Sequence, residues 1–161
     1  MRVVYSYGVI GGGGCEKRMG DLVRWLVADG EDEAWILGSC LDAGGQAQLF
    51  GQQGFDPDRL ILFNAQGEVK YKAPGGYNEW ITDVAKNLGA DILDVQYTTT
   101  TPASPPCRMV YTLHGCGQPI PEVTFDGILS VESLEEPYPI QFPSQHYRHV
   151  NNWVDTKRFP F

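Results

Sequence analysis

Apolar residues follow two patterns along this chain: short, mainly apolar runs, and longer stretches in which they recur every three or four positions. The short runs predict strands, and the near-continuous run at residues 34–37 is typical of a strand that is covered on both faces of a parallel sheet. Strands are expected at residues 2–7, 34–37, 60–63, 91–97, 109–114 and 125–131, with a turn at 64–67 leading into a further short strand at 69–71.

The periodic stretches predict two amphipathic helices, at residues 15–27 and 77–88. Gly30 and Gly89 follow them as C-terminal stops. Strands and helices therefore alternate, which predicts an α/β domain with a Rossmann-like, open and mostly parallel sheet and helices on both faces. Residues 41–58 are rich in glycine, glutamine and aspartate and predict a loop or a short irregular helix. Prolines at 137, 139 and 143 are expected to break any regular element near the end of the chain.

Four consecutive glycines join the first strand to the first helix and predict a phosphate-facing loop. A backbone without Cβ atoms can adopt positive φ and lets a ligand approach its N–H groups, and the helix N-terminus adds positive potential. The alternative is a tight turn or a flexible surface linker. The four residues are Gly11, Gly12, Gly13 and Gly14.

The spacing around this loop excludes two common nucleotide-binding motifs. A dinucleotide fingerprint needs a glycine where the chain has Glu16 or, in the other register, Ile10. A Walker A loop needs Gly-Lys-Ser/Thr at its end, and residues 15–18 do not supply it. An NAD-dependent enzyme and a nucleoside triphosphatase are therefore disfavoured.

Composition restricts the class of partner. The 161 residues are 42% hydrophobic, which fits one domain with a sizeable core, and the net charge of −8 argues against nucleic acid and against anionic membranes. The sequence has no apolar run long enough for a transmembrane segment, so a cytoplasmic protein is expected. No cluster of His, Cys, Asp or Glu has metal-ligand spacing, so no metal is expected. Cys15, at a helix start, is either a reactive thiolate or, as we favour, a small packing residue.

Three segments together resemble the N-terminal half of glycosyltransferase family 4. They are the strand-GGGG-x-E-helix start, the pair at residues 90–92 and 110–115, which includes T-L-H-G, and the run V-N-N-W-V-D-T-K-R-F-P at 150–160. Members are retaining, nucleotide-sugar-dependent enzymes of the GT-B fold. The resemblance implies an acceptor-side domain at residues 1–150 and the start of an interdomain linker at 151–161. A second, donor-binding domain would lie in cis or on a separate chain, and residues 1–161 alone would be inactive.

The same resemblance implies the ligands and their contacts. The donor would be a UDP-, GDP- or ADP-sugar, used as substrate with no further cofactor, and the acceptor a sugar or glycolipid. His114 would contact the reacting sugar as a catalytic residue, and the glycine loop would approach the donor diphosphate. Tyr97 and Thr98, followed by Thr99, would line the acceptor side. Relatives carry histidines where this chain has Asp94 and Gln96, so the role of those histidines does not transfer.

Each assignment has a plainer alternative. His114 could cap a strand end through hydrogen bonds, Tyr97 and Thr98 could belong to a solvated loop, and Glu16 is interpreted as a helix-start charge. His146 and His149, in the proline-containing tail, are expected to be surface or packing residues. At the level of function, the alternative is a non-catalytic α/β binding module that holds an anionic small molecule at its glycine loop. Under either function, the loop and His114 are predicted to lie at the same edge of the sheet.

Overall fold

One parallel sheet carries the fold. The computed structural model describes residues 1–51, 54–63, 76–96, 100–102, 104, 106–114, 125–130 and 147–149, with backbone alone at 130 and 147–149. The strands in these ranges are β1 (Arg2–Ser6), β2 (Val9–Ile10), β3 (Glu33–Gly38), β4 (Cys40–Leu41), β5 (Leu60–Leu62), β6 (Ile92–Val95), β7 (Arg108–Leu113), β8 (Gly127–Ser130) and β9 (Tyr147–His149). The helices are α1 (Gly14–Val27), α2 (Ala43–Phe50) and α3 (Gly76–Asn87), with a 3₁₀ turn at Pro57–Arg59.

The strand order is that of a doubly wound sheet. Seven strands are arranged β5-β3-β1-β6-β7-β8-β9, every neighbouring pair is parallel, and β2 pairs with β4 in a small second sheet. The chain builds outward from β1 through β3 to β5 and then returns to the other side of β1 at β6. Such a switch point leaves a crevice outside the carboxyl ends of β1 and β6. The predicted Rossmann-like fold is confirmed.

Alternate residues of each strand enter two separate cores. Val3 and Tyr5 of β1 pack on the face covered by α1, together with Met19 and Val23 of that helix. Val4 faces the opposite core, which contains Ile81 of α3. The helices therefore cover both faces of the sheet, as their apolar periodicity predicts. In the described ranges no helix has the length and apolar character needed to cross a membrane.

Two regions differ from expectation. Residues 41–58 contain a regular helix, α2, whose start is fixed by Asp42: its Oδ1 accepts the backbone N–H of Gly45 at 2.8 Å. Leu49 anchors the helix in the core. The proline-containing tail also holds a strand, because β9 adds to the edge of the sheet beside β8. The expected elements at 64–71 and the linker at 151–161 lie outside the described residues.

Candidate functional site

Polar side chains alternate with apolar ones where β6 and β7 end, next to the switch point. Leu93 and Val95 of β6 face the α3 core, as do Tyr111 and Leu113 of β7. Residues of the other parity therefore point to the face that α1 covers. On that face lie Asp94 and Gln96 from one strand, and Thr112 and His114 from its neighbour.

These four side chains bond to one another in pairs. Thr112 Oγ1 donates to Asp94 Oδ1 at 2.7 Å, and His114 Nε2 contacts Gln96 Oε1. An amide oxygen only accepts, so this contact is a hydrogen bond when His114 carries its proton on Nε2, and a neutral ring in that tautomer has its lone pair on Nδ1. Asp94, Gln96 and Thr112 are buried and His114 is half-buried. The four groups form a fixed polar layer at the carboxyl edge of the sheet.

Arg18 of α1 faces this layer. The other cations of the helix turn elsewhere: Lys17 Nζ and Arg24 Nη2 bind the carboxylate of Asp21 at 2.9 and 2.7 Å. The half-buried Arg18 has its Nε and Nη1 enclosed, with no hydrogen-bond partner in the part of the chain that the structure describes. We use the term polar cluster for Arg18, Asp94, Gln96, Thr112 and His114.

Burial shifts the pKa values of two members of the polar cluster in opposite directions. Desolvation raises the pKa of Asp94 to about 7, although Thr112, Arg18 and Gln96 all favour its ionised form. Desolvation and the charge of Arg18 lower the pKa of His114 to about 4. The imidazole of His114 is therefore neutral at physiological pH, and the carboxyl of Asp94 titrates in that range. Such a pair of displaced pKa values is typical of functional sites, although buried structural networks produce it too.

The glycine loop departs from its predicted conformation. Positive φ occurs at Gly30, Gly54 and Gly89 among the described residues, and not at residues 11–14. Two of the loop glycines are instead closely packed, so that an added Cβ would require a neighbouring group to shift. A Cβ at Gly13 would lie 2.7 Å from Glu16 Oε2, and one at Gly12 would lie 3.1 Å from the Cα of Gly44.

Glu16 does more than place a charge at the helix start. Its side chain is 4% exposed and folds back so that Oε1 accepts the N–H of Gly11 at 3.0 Å. This resembles a capping box, in which a glutamate in the first turn binds a backbone donor ahead of the helix. The backbone N–H of Gly11 is therefore already hydrogen-bonded to a carboxylate of the protein itself. The exposed Gly12 and Gly14 remain as the loop positions that a ligand can approach.

A second carboxylate lies beside the loop. Asp42 Oδ2 would be 3.3 Å from a Cβ at Gly11, so Asp42 and Glu16 both surround this residue. Two nearby carboxylates repel an anion and offset the attraction of the helix N-terminus. The electrostatics therefore weaken the alternative of a binding module that holds an anion at the glycine loop alone.

The structure places the remaining predicted residues as follows. Tyr97, Thr98 and Thr99 lie outside the described residues; the carbonyl of Thr100, which follows them in the sequence, accepts from Ser6 Oγ at 3.3 Å. Burial raises the pKa of the Cys15 thiol to about 12, so Cys15 is not a thiolate at neutral pH. In the described ranges no group of three or more His, Cys, Asp or Glu could hold a metal ion.

The glycine loop and His114 lie at one edge of the sheet, as predicted, because β1 and β7 both pair in parallel with β6. Sequence reasoning missed Arg18 and gave no role to Thr112. A signal was present for Thr112: polar residues at alternate positions of two otherwise apolar strands mark a shared polar face. Arg18 had no such signal, because a charged residue beside the apolar stripe of a helix is ordinary.

Comparison with known proteins gives one informative result. No protein-family model matches this sequence, and neither does any curated protein. The fold is similar to that of a glycosyltransferase from Rickettsia africae ESF-5, with a TM-score of 0.66 over 99% of this chain. The two sequences are 14% identical, and the match spans 45% of that protein. The chain therefore has a glycosyltransferase-like fold and corresponds to less than half the length of this neighbour.

Proposed function

We propose that residues 1–161 form the acceptor-side half of a retaining glycosyltransferase of the GT-B type, which transfers a sugar from a nucleotide-sugar donor. The observation that carries the proposal is the similarity of almost the whole chain to under half of a glycosyltransferase. The missing half would be a donor-binding domain, in cis or on a separate chain. The placement of the glycine loop and His114 at one edge of the sheet supports the proposal independently of that similarity.

In this proposal His114 contacts the reacting sugar as a neutral residue. Its pKa of about 4 removes proton donation by an imidazolium at physiological pH. What remains is hydrogen bonding, with Gln96 fixing the ring orientation through Nε2. Gly12 and Gly14 would present the loop to the donor diphosphate, and Tyr97 and Thr98 would line the acceptor side. No enzymic nucleophile is assigned.

The first test is consumption of the donor. The two-domain protein that contains residues 1–161 is incubated with UDP-, GDP- and ADP-sugars, and release of the nucleoside diphosphate is measured with and without sugar or glycolipid acceptors. Acceptor-dependent release is expected for one donor. Absence of release with every donor would count against the function.

The second test concerns His114. His114→Ala in the two-domain enzyme is expected to lower kcat by about 10²- to 10³-fold, the effect of losing one positioned hydrogen-bonding group in other active sites. The fraction of folded protein should stay nearly unchanged. A structural histidine predicts the opposite, because its loss would remove the hydrogen bond to Gln96 Oε1 and lower stability by about 1 to 3 kcal/mol while the folded enzyme stays active. Thermal melts and single-turnover rates on the same sample separate the two.

A further inference from the structure

Among the described residues Arg18 has no ion pair, although the chain has carboxylates in excess. The protein has 20 acidic and 12 basic residues, so a counter-ion is not scarce. Within the same helix, Lys17 and Arg24 share Asp21. The described residues provide Arg18 with no comparable ion pair, and its Nε and Nη1 are enclosed without an acceptor.

The nearby carboxylates are engaged elsewhere. Asp94 accepts from Thr112, and Glu16 accepts from Gly11. A guanidinium group is a permanent cation, and buried N–H donors without hydrogen-bond acceptors are unfavourable. Two donors of Arg18 therefore lack hydrogen-bond acceptors. The oxygen atoms of a bound anion would supply such acceptors.

Arg18 also lies where a ligand of this fold would bind. It belongs to the second turn of α1, the helix that directly follows the glycine loop, and its charge acts on Asp94 and His114 where β6 and β7 end beside the switch point. Its charge contributes, after desolvation, to the lowered pKa of His114. Arg18 is half-buried, which leaves part of its side chain in contact with solvent.

We propose that Arg18 binds a phosphate or carboxylate group of a substrate at this edge of the sheet. Arginine is suited to this because charge-assisted N–H···O bonds to such anions are both stronger and more directional than neutral ones. The source of the anion rests on the proposed function: it is either the donor diphosphate or an acidic acceptor, such as a sugar phosphate or a uronic acid.

The wild-type chain tests this directly. The Nε–Hε signal of Arg18 is followed by ¹⁵N NMR while inorganic phosphate is added at constant ionic strength, with chloride as reference. A saturable shift of this signal is expected. A signal that responds to phosphate no differently from chloride overturns the proposal, and this measurement requires no variant to fold.

Variants then show whether the site is specific. Arg18→Gln should raise the Kd for phosphate about tenfold or more, the loss expected for one charge-assisted hydrogen bond. Arg18→Lys, which keeps the charge but not the planar donor group, should recover only part of the affinity. The matched control is Lys17→Gln, which removes the same charge one residue away and should change the Kd less than twofold. Equal losses in Arg18→Gln and Lys17→Gln would indicate general attraction and overturn the proposal.

Two further titrations identify the source of the anion. A shift of the Arg18 signal by UDP but not by glucose 6-phosphate or glucuronate assigns the anion to the donor. The reverse result assigns it to the acceptor. These titrations measure binding and involve no sugar transfer. Their outcome can therefore be distinguished from the outcome of the donor-consumption assay on the two-domain protein.

Discussion

Asp94 and His114 make opposite contributions to the pH dependence of stability. Asp94 has a pKa of about 7 in the folded protein, above the ordinary 3.8, so the folded state holds a proton that the unfolded state has lost. Stability due to Asp94 therefore falls as pH rises from about 4 to 7. His114 has a pKa of about 4, below the ordinary 6.5, so its contribution falls as pH drops from 6.5 to 4. Between pH 4 and 6.5 the two effects cancel.

Single substitutions should reveal each effect. Asp94→Asn is expected to give a free energy of unfolding that rises with pH between 4 and 6.5, and His114→Gln one that falls between 4 and 7. Each slope is at most about 1.4 kcal/mol per pH unit. The neighbouring Tyr5 and Cys15 have raised pKa values, so neither of them titrates in this range. Urea unfolding at several pH values measures the slopes.

The double variant Asp94→Asn/His114→Gln serves as the control, because it lacks both groups and should show neither slope. If both single variants followed the pH profile of the wild type, the opposed pKa shifts would be wrong.

Gly13 and Gly14 are adjacent, but only one has a packing constraint. A Cβ at Gly13 meets Glu16 Oε2 at 2.7 Å, whereas a Cβ at Gly14 meets nothing within 4 Å. Alanine at either position restricts the unfolded chain by a similar amount, so the difference between the variants reports the native contact. Gly13→Ala is expected to be less stable than Gly14→Ala by about 1 kcal/mol, because Glu16 must leave Gly11.

Glu16→Ala provides the background that isolates this contact. With Glu16 absent, chemical denaturation should show a smaller difference between the two alanine variants. An undiminished difference would place its origin in the helix cap and not in Glu16. In the two-domain enzyme, Gly13→Val should also weaken use of the donor, and unchanged kinetics would reduce the loop to a structural turn.

Helix α2 depends on its cap because its own residues favour a helix weakly. Its sequence AGGQAQLF has two glycines, and Leu49 is its main buried anchor. Asp42→Ala removes the acceptor of the Gly45 N–H and is expected to lower the free energy of unfolding by about 1 kcal/mol. Asp42→Asn keeps an oxygen at the cap and should lose only a fraction of that. Equal stability of the two variants in urea unfolding would show that the cap does not hold α2.

The elements that sequence could predict are those with a strong apolar pattern. Helices α1 and α3 each carry an apolar stripe that spans their length, and the central strands are mainly apolar. A regular helix α2 was not predicted, because its glycines are needed for close packing and not for a turn. A Cβ at Gly45 would lie 2.2 Å from the carbonyl oxygen of Ile10. Such a tertiary constraint looks like loop composition in the sequence. The strand β9 was not predicted, because the prolines that precede it in the sequence argue against a strand. Its backbone pairs with β8 at the edge of the sheet, and the sequence pattern does not show this pairing.

The sequence predicted where the parts of the candidate site lie, but not how their side chains interact. The order of strands and loops was sufficient to bring the glycine loop and His114 to one edge. It was not sufficient to show that Glu16 folds onto Gly11 or that Arg18 faces His114, since both depend on side-chain direction. These two features change the electrostatics of the site more than any motif does, because the first engages the N–H of Gly11 in the loop and the second adds a cation to the polar cluster.

The molecule as a whole is poorly suited to hold a nucleotide-sugar without help. Its formal charge is −8, and Glu16 and Asp42 lie next to the glycine loop. One sheet edge also contacts only one side of a ligand, whereas a cleft between two domains can enclose it. A second domain would therefore have to supply most of the binding free energy and compensate the charge of the donor diphosphate.

Residues 1–161 by themselves are accordingly expected to bind UDP-glucose, GDP-mannose or ADP-glucose with a Kd weaker than about 1 mM and to transfer no sugar. Isothermal calorimetry measures the binding, and the two-domain protein is the control, for which tighter binding of one donor and transfer are expected. Raising the ionic strength should not rescue binding to residues 1–161, because screening removes the repulsion by carboxylates without creating the missing contacts. Micromolar binding of a donor to residues 1–161 alone would mean that this domain holds the nucleotide itself, and the division into an acceptor-side half and a donor-binding half would be wrong.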